Sequence, residues 1–337
     1  MITMTEIAKQ TGVSQPTVSR VLNGNTAVNP QVRERVLACA KANGFQPNIL
    51  ARSLAGSRTR LIGVILTDIS NSFFADLVKY MEREARLAGC SLILFNSGYD
   101  SKQEEECLHV LQRYRVDGLI AVPVDASSSR WKEQIQNLDI PAVILTKRAE
   151  GMDCVYVSHE EAGAQVGNHL WEEGFREFIF CGRPEDSKYQ GFAAALTARD
   201  PSFPQHVTVI RSKESAVIHR TLNDYFSRTR KRTGIFAYND RRALQMLGLL
   251  QKLKIQIPER AGLVGFDNTY MCELLYPGLS SVSQPNEEMA VTAMRRLFHR
   301  IEHPKDSAPE DHPLKATLLC RQSSAALSPK AEPSAKS

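Results

Sequence analysis

Apolar residues near the start of the chain recur with helical spacing. Val18, Val21 and Leu22 follow the i, i+3, i+4 pattern of a helix with one buried face. Ser14 is placed to cap this helix, and Pro16 falls in its first turn, where a missing amide proton costs nothing. The pattern therefore predicts a short amphipathic helix that begins just after Ser14.

A second helix is predicted on the amino-terminal side of the first. Thr3 and Glu6 have the spacing of a capping box, which favours a helix from about Met4 to Thr11. Gly12 then allows a tight turn before Ser14. The two segments together predict a helix-turn-helix.

A third helix is indicated by Asn29-Pro30, a cap followed by proline at the first helical position. Gly44 is placed to end this helix. Its predicted buried stripe is Val32, Val36, Leu37 and Ala40. The first part of the chain thus forms a three-helix module with a small core of its own.

From Leu61 onward the pattern changes to short apolar runs that alternate with helical stretches. The first series of predicted strands is 61–66, 91–95, 118–122 and 142–145, with helices over 74–88 and 102–115. The second series is 177–181, 207–210, 234–238 and 261–266, with helices over 162–173, 215–228 and 241–253. Repeated strand-helix units predict parallel, doubly wound sheets, and two series predict an α/β unit with two lobes.

The polar side of the predicted second helix suits nucleic acid. Its side chains are short donors and acceptors and one guanidinium, which can reach base edges and phosphate oxygens. They are Gln15, Thr17, Ser19, Arg20 and Asn23. Residues 1 to 60 carry eight Lys or Arg and two Glu, a net charge of +6, whereas the whole chain carries +5. A small helical domain can be basic by chance, but this segregation favours a polyanionic partner.

Composition is that of a globular protein: 337 residues, 42% hydrophobic and 23% charged. The chain shows no run of about 18 apolar residues and no signal-peptide pattern, so we expect no membrane association and a cytoplasmic location. Its seven cysteines are scattered singly, as expected for reduced thiols. We predict no cofactor and no metal site.

Several segments resemble the LacI/GalR family of bacterial transcriptional repressors, over roughly residues 2 to 325. They are Thr3 to Asn23, Gly44-Phe45-Gln46-Pro47-Asn48, Ala51 to Ala55, Leu61 to Phe74, Val116 to Ile120, Val264-Gly265-Phe266-Asp267-Asn268 and Ser281 to Pro285. The resemblance implies a helix-turn-helix domain followed by a core similar to periplasmic sugar-binding proteins.

The resemblance also implies domain boundaries. We expect a DNA-binding domain at 1–47, a hinge helix and linker at 48–60, an N-terminal lobe at 61–158 plus 285–313, and a C-terminal lobe at 159–284 plus 314–325. The chain would cross between the lobes near Ser158, Gln284 and Pro313. Residues 326–337 are rich in Ser, Ala, Pro and Lys and are expected to be disordered, without the leucine heptads of tetrameric relatives.

In such a protein a homodimer binds a near-palindromic double-stranded operator through two helix-turn-helix modules. A hinge helix over 48–55 would order on DNA, with Leu54 as a minor-groove wedge. The expected DNA-binding residues are Thr3, Ser14, Gln15, Pro16, Thr17, Ser19, Arg20, Asn23, Asn48, Arg52 and Leu54. Gln15 and Pro16 stand where the family most directly selects its operator, and Pro16 offers only apolar contact, for example to a thymine methyl.

A small effector is expected between the lobes, at the carboxyl ends of the strands. The expected residues are Asp68, Phe73, Phe74, Lys188, Asn239, Asp240, Asp267 and Gln284. Carboxylates, amides and a stacked aromatic ring suit a polyhydroxylated ligand. Each of these residues can instead have a purely structural role, because an Asp at a strand end is often a helix cap and Phe73 or Phe74 can belong to the core.

One position departs from the family. Lys188 stands where members usually carry Arg, three residues before Gly191-Phe192. Lysine lacks the two-pronged fork that arginine offers to adjacent hydroxyls or a carboxylate. With Arg183, Arg241 and Arg242 nearby in the same lobe, a sugar phosphate or sugar acid becomes a hypothesis, although the last two can simply lie at a solvated helix start.

Ser158-His159-Glu160-Glu161 superficially offers a nucleophile and a base, but sequence neighbours need not face one another, and no catalytic motif is present. We predict that the protein is not an enzyme and that it has no catalytic residue. The sequence predicts a repressor controlled by a carbohydrate-type effector. An activator or a corepressor-dependent regulator with a non-sugar effector such as a purine stays open.

Overall fold

The computed structural model describes residues 2–22, 27–45, 58–304 and 308–325. Contacts divide the chain into two units, Met1–Arg60 and Leu61–Ser337. The predicted hinge helix over 48–55 and the predicted tail over 326–337 lie outside the described residues.

The first unit contains the three predicted helices: α1 (Met4–Thr11), α2 (Gln15–Leu22) and α3 (Pro30–Ala42). The capping box is present, because the Thr3 amide donates to Glu6 Oε2 at 2.7 Å and the Glu6 amide donates to Thr3 Oγ1 at 3.3 Å. Gly12 ends α1 with φ 65°, a left-handed conformation that glycine adopts without strain. The helix-turn-helix prediction is confirmed.

The core of this unit is small and apolar. Its fully buried members come from all three helices and are Ile7, Ala8, Val18, Val21, Val36 and Ala40. The prediction that Leu37 belongs to this core is wrong, since Leu37 is 46% exposed. Val36 and Ala40, four residues apart, already cover the face of α3 that meets the other helices, and Leu37 is rotated about 100° away from Val36.

The second unit alternates strands and helices. Its first strands and helices are β1 (Leu61–Leu66), α4 (Ser72–Leu87), β2 (Ser91–Asn96), α5 (Ser101–Tyr114), β3 (Gly118–Ala121), α6 (Ser129–Gln136), β4 (Ala142–Leu145), β5 (Asp153–Val157), α7 (His159–Glu172), β6 (Glu177–Cys181) and α8 (Ser187–Arg199). They are followed by β7 (Val207–Ile210), α9 (Ser215–Arg228), β8 (Thr233–Ala237), α10 (Asp240–Lys252), β9 (Ala261–Asp267), α11 (Met271–Leu274), β10 (Ser280–Ser283), α12 (Asn286–Glu302), β11 (Asp311–Leu314) and β12 (Thr317–Leu319).

The strands form two six-stranded sheets, in the orders β11-β5-β4-β3-β1-β2 and β12-β10-β9-β8-β6-β7. All pairs are parallel except β10 with β12. The α/β, two-lobed prediction is confirmed. The predicted strands are present within one residue at each end, but β5, β10, β11 and β12 were missed. Strands β10, β11 and β12 contain polar residues or proline, and β5 begins with an aspartate before its short apolar run, Cys154 to Val157.

Three connections join the two sheets. The chain passes from β5 into α7 at Ser158, from β10 into α12 at Gln284-Pro285, and from β11 into β12 at Lys315-Ala316. Pro313 itself lies in β11, paired with Tyr156 of β5. The helix α12 packs on β3, β4 and β5, so the last long helix belongs with the first sheet. No helix among the residues described is long and apolar enough to cross a membrane.

Candidate nucleic-acid interface and ligand cleft

Helix α2 has one buried face and one exposed face. Val18 is fully buried and Val21 is 2% exposed. The side chains of Gln15, Pro16 and Arg20 are exposed on the other side. A helix held by an apolar face can offer its polar groups to a partner without cost to its own fold.

Three of the predicted DNA-binding hydroxyls already have structural partners. Thr3 belongs to the capping box. Ser14 Oγ lies 2.9 Å from Thr17 Oγ1 and accepts from the Thr17 amide at 3.4 Å. Gln15 and Arg20 are the other predicted polar residues of α2 that are exposed. The predicted residues Asn23, Asn48, Arg52 and Leu54 lie outside the described residues.

In the second unit, side chains at the strand ends of the two lobes touch directly. Arg241 Nη1 donates to Asp68 Oδ2 and to Ser70 Oγ, each at 3.0 Å. Asn71 Nδ2 donates to Asp267 Oδ2 at 3.1 Å. These contacts join residues that are more than 170 positions apart. The cleft is therefore closed by the chain's own polar groups at these points.

Asp267 lies at the centre of this arrangement and is 6% exposed. Its Oδ1 accepts from Gln284 Nε2 at 2.9 Å. Burial raises the pKa of Asp267 to about 7, although Lys188 opposes the shift. Gln284 Oε1 is buried and has no hydrogen-bond partner within the described part of the chain. An acid close to its titration point and an unpaired acceptor are both suited to a ligand rich in hydroxyl groups.

Lys188 is 4% exposed. Its Nζ lies 3.7 Å from the ring centroid of Phe266 and 4.1 Å from that of Tyr238, and it donates to the Tyr238 carbonyl oxygen at 3.1 Å. Burial lowers the pKa of Lys188. The ammonium group is thus held mainly by aromatic faces, an arrangement that stabilises a desolvated cation.

Four other predicted effector residues have structural contacts of their own. Phe73 and Phe74 are 4% and 6% exposed and pack edge-on within the core. Asn239 caps α10 by accepting from the Arg242 amide at 3.0 Å. Asp240 accepts from the Thr269 amide at 2.6 Å and from Ser281 Oγ, so its carboxylate braces the second lobe. Asp68, Asp267, Lys188 and Gln284 are the predicted residues that the structure brings to the cleft.

Two cleft residues were missed as ligand candidates. Lys147 follows strand β4, and its Nζ donates to the carbonyl oxygens of Pro123 at 2.9 Å and Val124 at 2.8 Å. His159 begins α7 and meets Phe266 edge-on, with 5.5 Å between ring centroids. Burial, together with Lys188 and Lys147, lowers the pKa of His159. The strand-end rule that selected Asp68 would have selected Lys147 as well.

The hypothetical nucleophile and base at the start of α7 do not form a pair in the contacts described. Ser158 Oγ accepts from the Glu161 amide at 3.2 Å and caps the helix. The contact of the His159 ring is with Phe266. Ser158 therefore acts as a helix cap.

A cavity of about 660 Å³ adjoins the cleft on the side of α12. Asp267 and Gln284 line it together with Tyr80, Arg83 and Asn286. Glu287 also lines it, and its Oε1 pairs with Arg83 Nη2 at 2.8 Å. Asp267 and Gln284 therefore belong to both the cavity and the cleft, whereas Lys188 does not line the cavity. The candidate ligand site consists of the cleft residues named above.

A helix-turn-helix unit, followed by a two-lobed unit with polar groups converging at its strand ends, defines a ligand-responsive DNA-binding protein. Residues 3–48 match the family model of bacterial regulatory proteins of the lacI family, and residues 168–324 match that of the periplasmic binding protein-like domain. The chain belongs to the lacI family of bacterial regulatory proteins.

Individual relatives agree with this. Catabolite control protein A of Staphylococcus xylosus is 30% identical, over 88% of this chain and 91% of its own. The sucrose operon repressor of Pediococcus pentosaceus is 29% identical, over 94% and 97%. A crystal structure of a LacI family regulator from Enterococcus faecalis V583, with bound ribose, is 30% identical over 80% of this chain and 100% of its own, with a TM-score of 0.68.

Proposed function

We propose that this chain is a transcriptional repressor that binds a near-palindromic operator as a homodimer in the bacterial cytoplasm. A small carbohydrate-type effector, bound between the two lobes, controls its affinity for that operator. The observation that carries the proposal is the exposed polar face of α2, with Gln15 and Arg20 outermost, on a helix anchored by Val18 and Val21.

The roles on DNA follow from side-chain chemistry. Gln15 and Arg20 contact base edges in the major groove, whereas Pro16 makes apolar contact. The segment that contains Asn48, Arg52 and Leu54 forms the hinge, and Leu54 enters the minor groove. Ordering this hinge costs conformational entropy, so it forms only when the two protomers hold their hinges close together.

The cleft supports the effector role. Asp267, Gln284 and Asn71 offer acceptors and donors to hydroxyl groups, and the contact between Arg241 and Asp68 joins the two lobes at this site. The names of relatives are consistent with this, since one is a sucrose operon repressor and another holds ribose. We propose no catalytic role for the cleft.

Selection of binding sites from random double-stranded DNA by the full-length protein tests the proposal. We expect a recurrent sequence with two inverted half-sites, about 10³-fold or more preferred over random DNA at physiological salt. Binding that depends on salt but not on sequence would contradict it.

A reporter placed behind the selected operator tests the sign of control. A repressor lowers expression of the reporter. Its effector then either restores expression or strengthens the repression. Increased expression would identify an activator. Control by a purine rather than a carbohydrate would preserve the DNA-binding role and replace the effector class.

A further inference from the structure

Two lysines and a histidine lie at neighbouring strand and helix ends of the cleft. Lys188 Nζ sits 3.7 Å from the Phe266 ring centroid, and His159 meets the same ring from its edge at 5.5 Å between centroids. Lys147 follows β4, which pairs with β5, the strand that leads into His159. Lys188 and His159 thus contact the same ring, and Lys147 lies close enough to His159 for its charge to act on that imidazole.

Neither ammonium group has a carboxylate partner. Among the residues that the structure describes, no carboxylate oxygen lies within 4.0 Å of Nζ of Lys147 or Lys188. The acceptors they do have are backbone carbonyl oxygens, two for Lys147 and one for Lys188. An ammonium carries three donors, so Lys188 in particular has hydrogen-bonding capacity to spare.

The carboxylates in the neighbourhood are committed elsewhere or only partly ionised at neutral pH. Asp186 caps α8, and Asp240 is bound by Ser281 and Thr269. Burial raises the pKa of Glu104, close to Lys147, to about 7, and burial has the same effect on Asp267, close to Lys188. Asp125, which also acts on Lys147, accepts from the Ser127 amide and hydroxyl. These carboxylates attract the two ammonium groups from a distance, without direct contact between the charged atoms in the described residues. Two buried ammonium groups without a direct ion pair favour an anion beside them.

We infer that Lys147 and Lys188 form the subsite for an anionic group on the effector, a carboxylate or a phosphate, while Asn71, Asp267 and Gln284 hold its hydroxyl groups. This rests on the proposed function, of which it specifies the effector class. In the bound state, the ligand anion replaces the contacts that the two ammonium groups now make with aromatic rings and carbonyl oxygens. Lysine can fill this role as a point charge, although it lacks the fork that the arginine usual at position 188 offers to adjacent hydroxyls or a carboxylate.

Calorimetric titration of the full-length protein with matched sugars tests the inference. The sets are D-glucose, D-gluconate and D-glucose 6-phosphate, and D-ribose, D-ribonate and D-ribose 5-phosphate, all at one ionic strength. We expect an anionic member to bind about tenfold or more tightly than its neutral partner, as charge-assisted hydrogen bonds imply. Comparison of the sugar acids with the sugar phosphates identifies whether the subsite binds a carboxylate or a phosphate.

The variants Lys147→Met and Lys188→Met keep an unbranched side chain that is one atom shorter and remove the charge. Each should reduce the preference for the anionic member toward unity, while Lys102→Met, a matched change at an exposed position, should leave it unchanged. Melting temperature and far-UV circular dichroism establish that each variant is folded, and the two single variants serve as checks on one another.

A second readout does not need the right sugar. Inorganic phosphate, compared with chloride at equal ionic strength, should raise the melting temperature of the wild type and have no effect on the double variant Lys147→Met/Lys188→Met. Equal or tighter binding of a neutral sugar would overturn the inference. So would the absence of stabilisation or binding by every anion tested. Sequence-specific DNA binding would survive either result, whereas its loss would contradict the proposed function itself.

Discussion

The helix-turn-helix and the cleft are built in opposite ways. In the first, the residues proposed for function are exposed, lie within one helix and rest on a buried apolar face that includes Val18. In the second, Lys188 and Asp267 are almost completely buried, and they come from elements far apart in the chain. A surface of the first kind reads a partner without changing the fold. A site of the second kind is coupled to lobe packing, so occupation must alter the lobes.

This contrast predicts that the two functions fail through different substitutions. Changes of exposed groups on the DNA-reading face should leave its fold intact and weaken binding only in part, whereas damage to its core should abolish binding. The cleft should respond to changes in helix packing that touch no ligand. Four substitutions test this, in order of decreasing effect.

Val18→Asp places an unpaired charge in the core of the first unit, where Val18 is 0% exposed. We expect a loss of about 3 kcal/mol or more from the stability of that unit, because a buried charge without a partner is strongly destabilising. Operator binding should disappear, while thermal unfolding of the second unit, followed by calorimetry, stays as in the wild type. Leu37→Ala, at the exposed position of α3, is the matched control and should leave binding intact.

Gly191→Ala changes the helix packing behind the cleft and alters none of the residues proposed to bind the ligand. A Cβ at Gly191 would overlap the backbone of Glu160, so α7 and α8, which carry His159 and Lys188, must separate. We expect a destabilisation of about 1–3 kcal/mol, as for other overpacked positions, together with weaker effector binding. The measurement is chemical denaturation followed by titration.

Gly248→Ala is the matched control for that experiment. A Cβ at Gly248 meets nothing within 4 Å, and the residue lies inside α10. Alanine should therefore stabilise the protein by about 0.5–1 kcal/mol through its higher helix propensity. Equal destabilisation by both substitutions would argue against the close α7–α8 contact.

Arg20→Ala removes an exposed guanidinium from α2. If Arg20 contacts a base, specific binding should weaken by about 1–3 kcal/mol, with a smaller loss on random DNA. Fluorescence anisotropy on the selected operator and on a scrambled duplex measures both. Lys41→Ala, in the last turn of α3, controls for the loss of one positive charge. An equal loss on the two duplexes would reassign Arg20 to a phosphate contact.

Arg241→Ala removes the contacts with Asp68 and Ser70 that join the lobes. Since Arg241 is 66% exposed at its side chain, the loss of stability should be at most about 1 kcal/mol. Asp68→Asn and the double variant complete a cycle that isolates the interaction. A coupling energy of zero would mean that this ion pair adds nothing to the other contacts between the lobes, such as that between Asn71 and Asp267.

Much of the architecture was predictable because its causes are local. The capping box at Thr3 and Glu6, the turn at Gly12 and the spacing of Val18 and Val21 involve residues a few positions apart. Leu37 was misassigned because helical spacing alone does not say how wide a buried stripe becomes. The missed strands, such as β10 with its run of serines, are held by neighbours in the sheet rather than by their own composition.

The sequence by itself determined the helix-turn-helix, the two series of strand-helix units and the set of polar residues at strand ends. Only the tertiary structure decided which of these residues share a site. Core packing holds Phe73 and Phe74, and hydrogen bonds within the second lobe hold Asn239 and Asp240. The fold instead places Lys147 and His159 near Lys188. The reason is physical: a helix cap is satisfied within four residues, but the desolvation and charge of a buried ammonium depend on whatever the fold places around it.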